Sequence, residues 1–262
     1  MYIKAKKSLG QNFLIDRNVL EKIVNTVEIE DREILEIGPG TGNLTTYILK
    51  KNPKKIYVIE KDDDLSLLLS KKFNNEINII NDDILKISEH KISKEKLIVF
   101  GNLPYNISTE ILSKWIINLD KNFWFKSLVL MFQKEVADRI IAEFNTSNYG
   151  RLSIFSNWKL NIKKIIDIKP DSFLPKPKVN SSLIIFTPRE NFFQLRDAKN
   201  LEMITRVFFS QRRKMIKKPF NQIFNNAQEI AKKFNVDLNL RPQNLKPELY
   251  YKLAKEYEDL RG

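Results

Sequence analysis

Glu33-Ile34-Leu35-Glu36-Ile37-Gly38-Pro39-Gly40-Thr41-Gly42 reads as a buried strand that runs directly into a glycine turn. Beyond it Leu44, Tyr47, Ile48 and Leu49 return at roughly helical spacing. The stretch therefore predicts strand, turn and helix, the opening of a parallel α/β sheet. Glycines two apart let a ligand lie against the backbone where any side chain would block it. The dinucleotide fingerprint needs its third glycine at position 43, which is Asn43, so a nicotinamide or flavin cofactor fits less well.

Three further strands follow. Ile56-Tyr57-Val58-Ile59 ends in Glu60, placed to take both ribose hydroxyls of an adenosine. Ile77-Asn78-Ile79-Ile80 is followed by Asp82-Asp83, and Asp83 could accept a hydrogen bond from an adenine amine. Leu97-Ile98-Val99-Phe100 ends at Gly101 and leads through Asn102-Leu103-Pro104-Tyr105 into a helix carrying Ile107, Ile111, Leu112, Trp115 and Ile116. Taken singly, each acid is most simply a solvated loop residue and Asn102-Leu103-Pro104-Tyr105 a turn with a packing tyrosine. Together, consecutive strand ends carry polar groups on the edge where open α/β sheets bind ligands, as a methyl donor of the S-adenosylmethionine type requires.

Asn102, Pro104 and Tyr105 then suit a particular problem in amine chemistry. The exocyclic amine of adenine is nearly planar, its lone pair delocalised into the ring. An amide oxygen at Asn102 and a backbone carbonyl near Leu103 or Pro104 could each accept one amino hydrogen while Tyr105 stacks on the base, and proline fixes the turn. With the lone pair aligned on a methyl sulfonium, little general base is needed, because the ammonium-like product is acidic.

On these motifs the chain resembles the KsgA family of ribosomal RNA adenine dimethyltransferases. The resemblance runs from Lys7-Ser8-Leu9-Gly10-Gln11-Asn12-Phe13-Leu14 to Arg241-Pro242. It takes in the glycine motif, Asn102 to Thr109, Gln133-Lys134-Glu135-Val136-Ala137, Tyr149-Gly150-Arg151-Leu152-Ser153, Phe173-Leu174-Pro175-Lys176-Pro177-Lys178-Val179 and Gln211-Arg212-Arg213-Lys214. It implies a Rossmann-like class I S-adenosylmethionine-dependent methyltransferase sheet with a small all-helical carboxy-terminal domain. By the same resemblance Asn12 and Leu14 cover the donor, Gly38 and Gly40 line its amino acid part, Glu60 its ribose and Asp83 its adenine. Asn102 touches donor and target, and Phe173 forms the wall of the target pocket opposite Tyr105, gripping a base that has left its stack. The implied reaction is N6,N6-dimethylation of two adjacent adenosines near the 3′ end of small-subunit (16S) rRNA during ribosome biogenesis. The alternatives are a macrolide-resistance type methyltransferase of large-subunit rRNA and a noncatalytic assembly or transcription factor on the same fold. Leu103 and the Tyr149–Ser153 motif favour the first reading over the macrolide type, and an intact Asn102–Tyr105 motif speaks against loss of chemistry.

Composition agrees with a polyanionic partner. Lys and Arg number 45 against 32 acids among 262 residues, a formal charge of +13; a Lys-, Asn- and Ile-rich genome would give the same balance. There is no cysteine, so disulfides and thiolate metal sites are excluded. The single histidine, His90, lies in a polar stretch and reads as a solvated loop residue, so no histidine triad or metal cluster can be built and no metal is expected. The start, Met1 to Lys7, has no apolar segment behind its charges, and no apolar run approaches the ~18 residues of a membrane span. A cytoplasmic monomer acting on rRNA within an assembling 30S-type particle, away from membranes, is the expectation.

Phe125 to Phe132 predicts another strand, Lys134 to Phe144 a helix, Asn180 to Thr187 a late strand and Lys163 to Ile168 a further strand, and the resemblance implies an antiparallel pair here that completes the sheet. Thr187-Pro188-Arg189-Glu190-Asn191 breaks the pattern, giving a catalytic domain over 1–190 and a helical RNA- or ribosome-docking domain over 191–262. In the first long helix of the latter, Leu201, Ile204, Phe208 and Met215 share one face; Arg206, Arg213 and Lys217 share the other, where they could track a phosphate backbone or form a solvated face. Arg212 falls on the apolar side, so either the helix distorts or Arg212 reaches across to the other domain.

Overall fold

The computed structural model describes residues 5, 6 and 9–261; Met1 to Lys4, and the Lys7-Ser8 that open the amino-terminal motif, lie outside the described residues. In chain order the elements are β1 (Phe13–Leu14), α1 (Arg17–Val24), β2 (Glu33–Ile37), α2 (Asn43–Leu49), β3 (Lys55–Ile59), α3 (Asp63–Phe73), β4 (Asn78–Ile80), β5 (Leu97–Asn102), α4 (Ser108–Asn118), β6 (Phe125–Gln133), α5 (Lys134–Ile140), α6 (Arg151–Lys159), β7 (Leu160–Ile168), β8 (Phe173–Leu174), β9 (Ser181–Pro188), α7 (Ala198–Phe209), α8 (Lys217–Ile223), α9 (Ala227–Lys233) and α10 (Pro247–Asp259). None of the described helices is long and apolar enough to cross a membrane.

The chain divides into two compact units. The first holds the described residues up to Trp115, then Leu119–Ala137 and Asn161–Pro188, and is built on a seven-stranded sheet in the order β4-β3-β2-β5-β6-β9-β7. β2 pairs in parallel with both β3 and β5, and β5 in parallel with β6, while β9 runs antiparallel to β6. Ile34, Leu35, Val58, Ile98 and Val99 are all at most 1% exposed. Both faces of the central strands are therefore covered, which explains why they read as continuous apolar runs rather than alternating ones. Asp16 caps α1 and Asp62 caps α3, each cap contributing about 1 kcal/mol. The chain leaves β2 for β3 on one side and returns to β5 on the other, so the crevice of an open sheet falls between the carboxyl ends of β2 and β5.

The second unit comprises Ile116–Asn118, Asp138–Leu160 and the chain from Arg189 onward. The division thus differs from a single cut near residue 190: the segment from Asp138 to Leu160 belongs with the carboxy-terminal helices. Its aromatics explain why. Tyr149 donates to the carbonyl of Leu245 at 3.0 Å, Tyr251 donates to that of Ile154 at 3.0 Å, and the Tyr149 and Phe209 rings meet edge-on at 6.3 Å. Buried tyrosines bring large apolar area and need a partner for the hydroxyl, and these have both.

The long helix expected beyond residue 191 is shorter than its pattern. α7 ends at Phe209, and the next residues turn, with Lys214 N–H bonded to the Gln211 carbonyl. Ile216 and Lys217 then donate to the carbonyls of Leu240 and Leu238, and Ile216 is buried while Met215, assigned to the apolar face, is 58% exposed. Arg206, Arg213 and Lys217 consequently do not form a stripe on one helix, although all three are exposed. Arg212 lies past the helix end, where its guanidinium donates to the carbonyls of Thr146 and Ser147, inside the same unit.

Candidate active site

A cavity of about 210 Å³ opens at the crevice between β2 and β5. Asn12, Leu14, Gly38, Gly40, Glu60, Asp83, Asn102, Pro104 and Tyr105 all line it. Nine of the residues singled out in the sequence are thereby brought together from the amino-terminal segment and the ends of four strands.

The glycine turn is shaped by what stands behind it. Gly40 has φ +60°, and a Cβ there would sit 2.7 Å from the ring of Phe13; Gly42, at φ +74°, would drive one into Phe73. Alanine at either position is strained in the backbone and has no room. Glu60, 6% exposed, accepts the N–H of Gly40 at 3.2 Å on one oxygen and that of Asp62 at 3.0 Å on the other. One further lone pair per oxygen remains, which suits a pair of neighbouring hydroxyls. Asp83 accepts from Leu85 N–H at 3.0 Å and pairs with Lys61 at 2.8 Å; the Lys61 ammonium in the first place holds its carboxyl below the usual carboxylate range.

β5 continues one residue further than the apolar run and its glycine, so Asn102 is its last residue, paired with Met131 of β6. Its side-chain nitrogen donates to the carbonyl of Asn12 at 2.7 Å. A carbonyl can only accept, so the amide is oriented, and its oxygen has no partner among the described residues. Tyr105 is half-buried, with its hydroxyl 2.5 Å from that of Ser181.

Three assigned residues lie elsewhere. Phe173 does not line the cavity; it is 2% exposed and packed in the core with Leu14, Ile168 and Leu183. β8 pairs antiparallel with β1, Leu14 opposite Phe173 and Phe13 opposite Leu174. Strand alternation then sends Phe173 to the core and leaves Leu174 61% exposed. Arg213 and Lys217 are in the helical unit.

Other contributors carried no assignment. Asn43, the residue that breaks the dinucleotide fingerprint, donates to the carbonyl of Leu14 at 2.8 Å and so ties α2 to the amino-terminal segment. Asp62 receives Lys6 at 2.7 Å and Gln11 at 2.8 Å, linking that segment to the N–H that Glu60 holds. Burial works against ionised Asp62, yet Lys6, Gln11 and the N–H of Asp64 hold its carboxyl below the ordinary value. No sequence reading reached Asp62, whose partners Lys6 and Gln11 lie 56 and 51 positions away.

Glu36 also lines the cavity, 2% exposed, accepting the Thr45 hydroxyl at 2.6 Å. Burial pushes its carboxyl up to about 7 from 4.5, against the pull of Thr45. Below pH 4.5 folded and unfolded states are both protonated and no stability is forfeited, and as pH rises towards 7 the unfolded chain ionises first. A contribution on the order of 3 kcal/mol therefore disappears across that window. Urea unfolding of Glu36→Gln should show its stability advantage over the parent growing from pH 4.5 to 7; a constant difference refutes the shifted carboxyl.

Parallel strands β4-β3-β2-β5-β6 continued by an antiparallel β9, with a glycine turn after β2 and an acid after β3, fit the class I S-adenosylmethionine-dependent methyltransferase fold. A dimethyladenosine transferase of Plasmodium falciparum has a similar structure, with TM-score 0.77 and 27% identity over 94% of this chain and 98% of that one. The 23S rRNA methyltransferase ErmE shares the fold, with TM-score 0.69 and 21% identity over 95% of this chain and all of that one. Residues 2–259 match the family described as ribosomal RNA adenine dimethylase, and the chain belongs to that family. It is 75% identical over 262 residues, the whole of both chains, to ribosomal RNA small subunit methyltransferase A of Pelagibacter ubique (strain HTCC1062). It is 44% identical over 249 residues, 93% of each chain, to the protein of the same name from Ehrlichia ruminantium (strain Gardel).

Proposed function

We propose that this S-adenosylmethionine-dependent rRNA adenine dimethyltransferase acts on N6 of two adjacent adenosines near the 3′ end of small-subunit rRNA, as a monomer, on an assembling 30S-type particle in the cytoplasm. The observation that carries the chemistry is Asn102, its amide nitrogen spent on Asn12 and its oxygen left to accept at the cavity. The names of the relatives at 75% and 44% identity support the small subunit over the large.

The cavity suits the donor: Gly38 and Gly40 line it without side chains, Glu60 accepts one N–H on each oxygen and keeps a further acceptor position on each, and Asp83 is held ionised beside them. S-adenosylmethionine supplies an electrophilic methyl group on its sulfonium. Gly38 and Gly40 line its amino acid part, Glu60 takes the ribose hydroxyls, Asp83 the adenine amine, and Asn12 and Leu14 cover it. Asn102 accepts one hydrogen of the target amine and draws its lone pair out of conjugation, with a carbonyl of the Leu103-Pro104 turn taking the other. Tyr105 stacks on the unstacked target base. Tyr105 lines the cavity, which supports this role for it, whereas Phe173 is packed in the core.

The test is to incubate unmethylated small and large subunits separately with labelled S-adenosylmethionine and identify the digested nucleosides. N6,N6-dimethyladenosine from the small subunit alone is expected; label in the large subunit rejects the reading. Arg213 and Lys217, exposed on the turn and on α8, are assigned to RNA docking. Reversing both charges should weaken binding and flatten the slope of log K against log salt by about 0.7–0.9 for each phosphate the variant no longer neutralises. An unchanged slope makes them ordinary solvated charges.

A further inference from the structure

Tyr105 meets a group outside the cavity lining. Its hydroxyl lies 2.5 Å from the hydroxyl of Ser181, the first residue of β9, which is 0% exposed and sits opposite Gln133 of β6. We infer that Ser181 is a positioning residue for methyl transfer: its buried hydroxyl holds the Tyr105 ring at the angle that the target adenine stacks upon. The inference rests on the reading of Tyr105 as a wall of the target pocket.

Ser181 cannot wander. The N–H of Lys134 donates to the carbonyl of Asn180 at 2.8 Å. The next serine, Ser182, faces the other way along the strand and donates to Asp167 at 2.6 Å. Asp167 in turn receives Lys134 at 3.1 Å. The backbone at the start of β9 is thus fixed, and Ser181 Oγ is carried on a strand rather than on a loop.

At its other end Tyr105 is held by its backbone. Ile107 N–H closes a turn on the Pro104 carbonyl at 3.1 Å, and Ser108 Oγ donates to the Tyr105 carbonyl at 3.3 Å. These bonds fix Cα but leave the side-chain torsions open, and rotation about the ring axis is intrinsically broad. Anchoring the hydroxyl sets where that axis points, and the in-plane preference of a phenolic O–H restricts rotation about it. A base stacked on a ring so held meets the Asn102 oxygen in one orientation, which is where positioning becomes rate.

A serine there solely to satisfy a half-buried tyrosine hydroxyl would affect stability and nothing else. The two roles separate by kinetics at saturating S-adenosylmethionine on unmethylated small subunits. Ser181→Ala and Tyr105→Phe should each lower kcat by about tenfold, the worth of one well-placed hydrogen bond, with donor Kd unchanged. The double variant should be no slower than the slower single one. Parental kcat in Ser181→Ala, or full multiplication of the two effects, overturns the inference. If Ser181→Ala does not fold, Tyr105→Phe decides alone, parental kcat again overturning it. Tyr105→Ala tells the underlying reading apart: its retained activity rejects Tyr105 as a wall, whereas its inactivity beside a parental Ser181→Ala rejects only the role of Ser181.

Discussion

Asn102→Ala should lower kcat for methyl transfer by about 100- to 1,000-fold and leave the circular-dichroism spectrum unchanged. The magnitude is that of removing one preorganised polar group from the point where charge develops in the transition state. Here the group is an acceptor: the amide oxygen takes a hydrogen of an amine that is becoming positive, and without it the lone pair stays in conjugation. The fold is spared because Asn102 is only the last residue of β5, and its ladder to β6 uses backbone groups that alanine retains. Alanine also removes the 2.7 Å bond to the Asn12 carbonyl, so donor affinity should fall modestly as the amino-terminal segment loosens. Asn102→Asp discriminates further. It keeps an acceptor but sets a carboxylate against the Asn12 carbonyl, so its rate should lie between those of parent and alanine variant. Single-turnover transfer from labelled S-adenosylmethionine measures all three, and an alanine variant within tenfold of the parent rules out the proposed role.

The crevice could be read before the structure because each of its parts is local. A strand, a turn and a helix announce themselves within about ten residues, and polar groups at successive strand ends must meet on one edge of a parallel sheet. Glu60, Asp83 and Asn102 followed from that alone. Phe173 did not, because its orientation depends on a two-residue pairing with β1 across some 160 positions, and a one-residue change of register would have turned it outward. The same limit hid Ser181, whose partner is 76 positions away. The helix after residue 197 was overextended for a different reason. Apolar spacing persists through Met215, but the turn at 210–214 interrupts it and leaves that methionine in solvent while Ile216 fills the core. Periodicity reports which residues are apolar, and here a backbone pairing with residues 238–240 decides which of them is buried.

Glu60→Ala should raise the dissociation constant for S-adenosylmethionine by at least about 100-fold, two hydrogen bonds to a charged acceptor at about 1.5 kcal/mol each. The carboxylate acts twice, because the oxygens offered to the ribose also hold the N–H groups of Gly40 and Asp62. Alanine leaves those donors without their partner and releases the glycine turn, so donor affinity should drop further than ribose contacts alone predict. Glu60→Gln keeps the shape and one acceptor, but its nitrogen cannot receive either N–H, and its affinity should be intermediate. Acid should act like the glutamine variant. Burial, opposed by the N–H groups of Asp62 and Gly40, lifts the Glu60 carboxyl above its ordinary 4.5, so donor binding should weaken on acidification sooner than for a solvated glutamate. RNA binding, assigned to exposed Arg213 and Lys217 in the helical unit, should not change. Titration calorimetry with the donor and filter binding with small-subunit rRNA read the two separately. An alanine variant that binds donor as the parent does moves the ribose site away from β3.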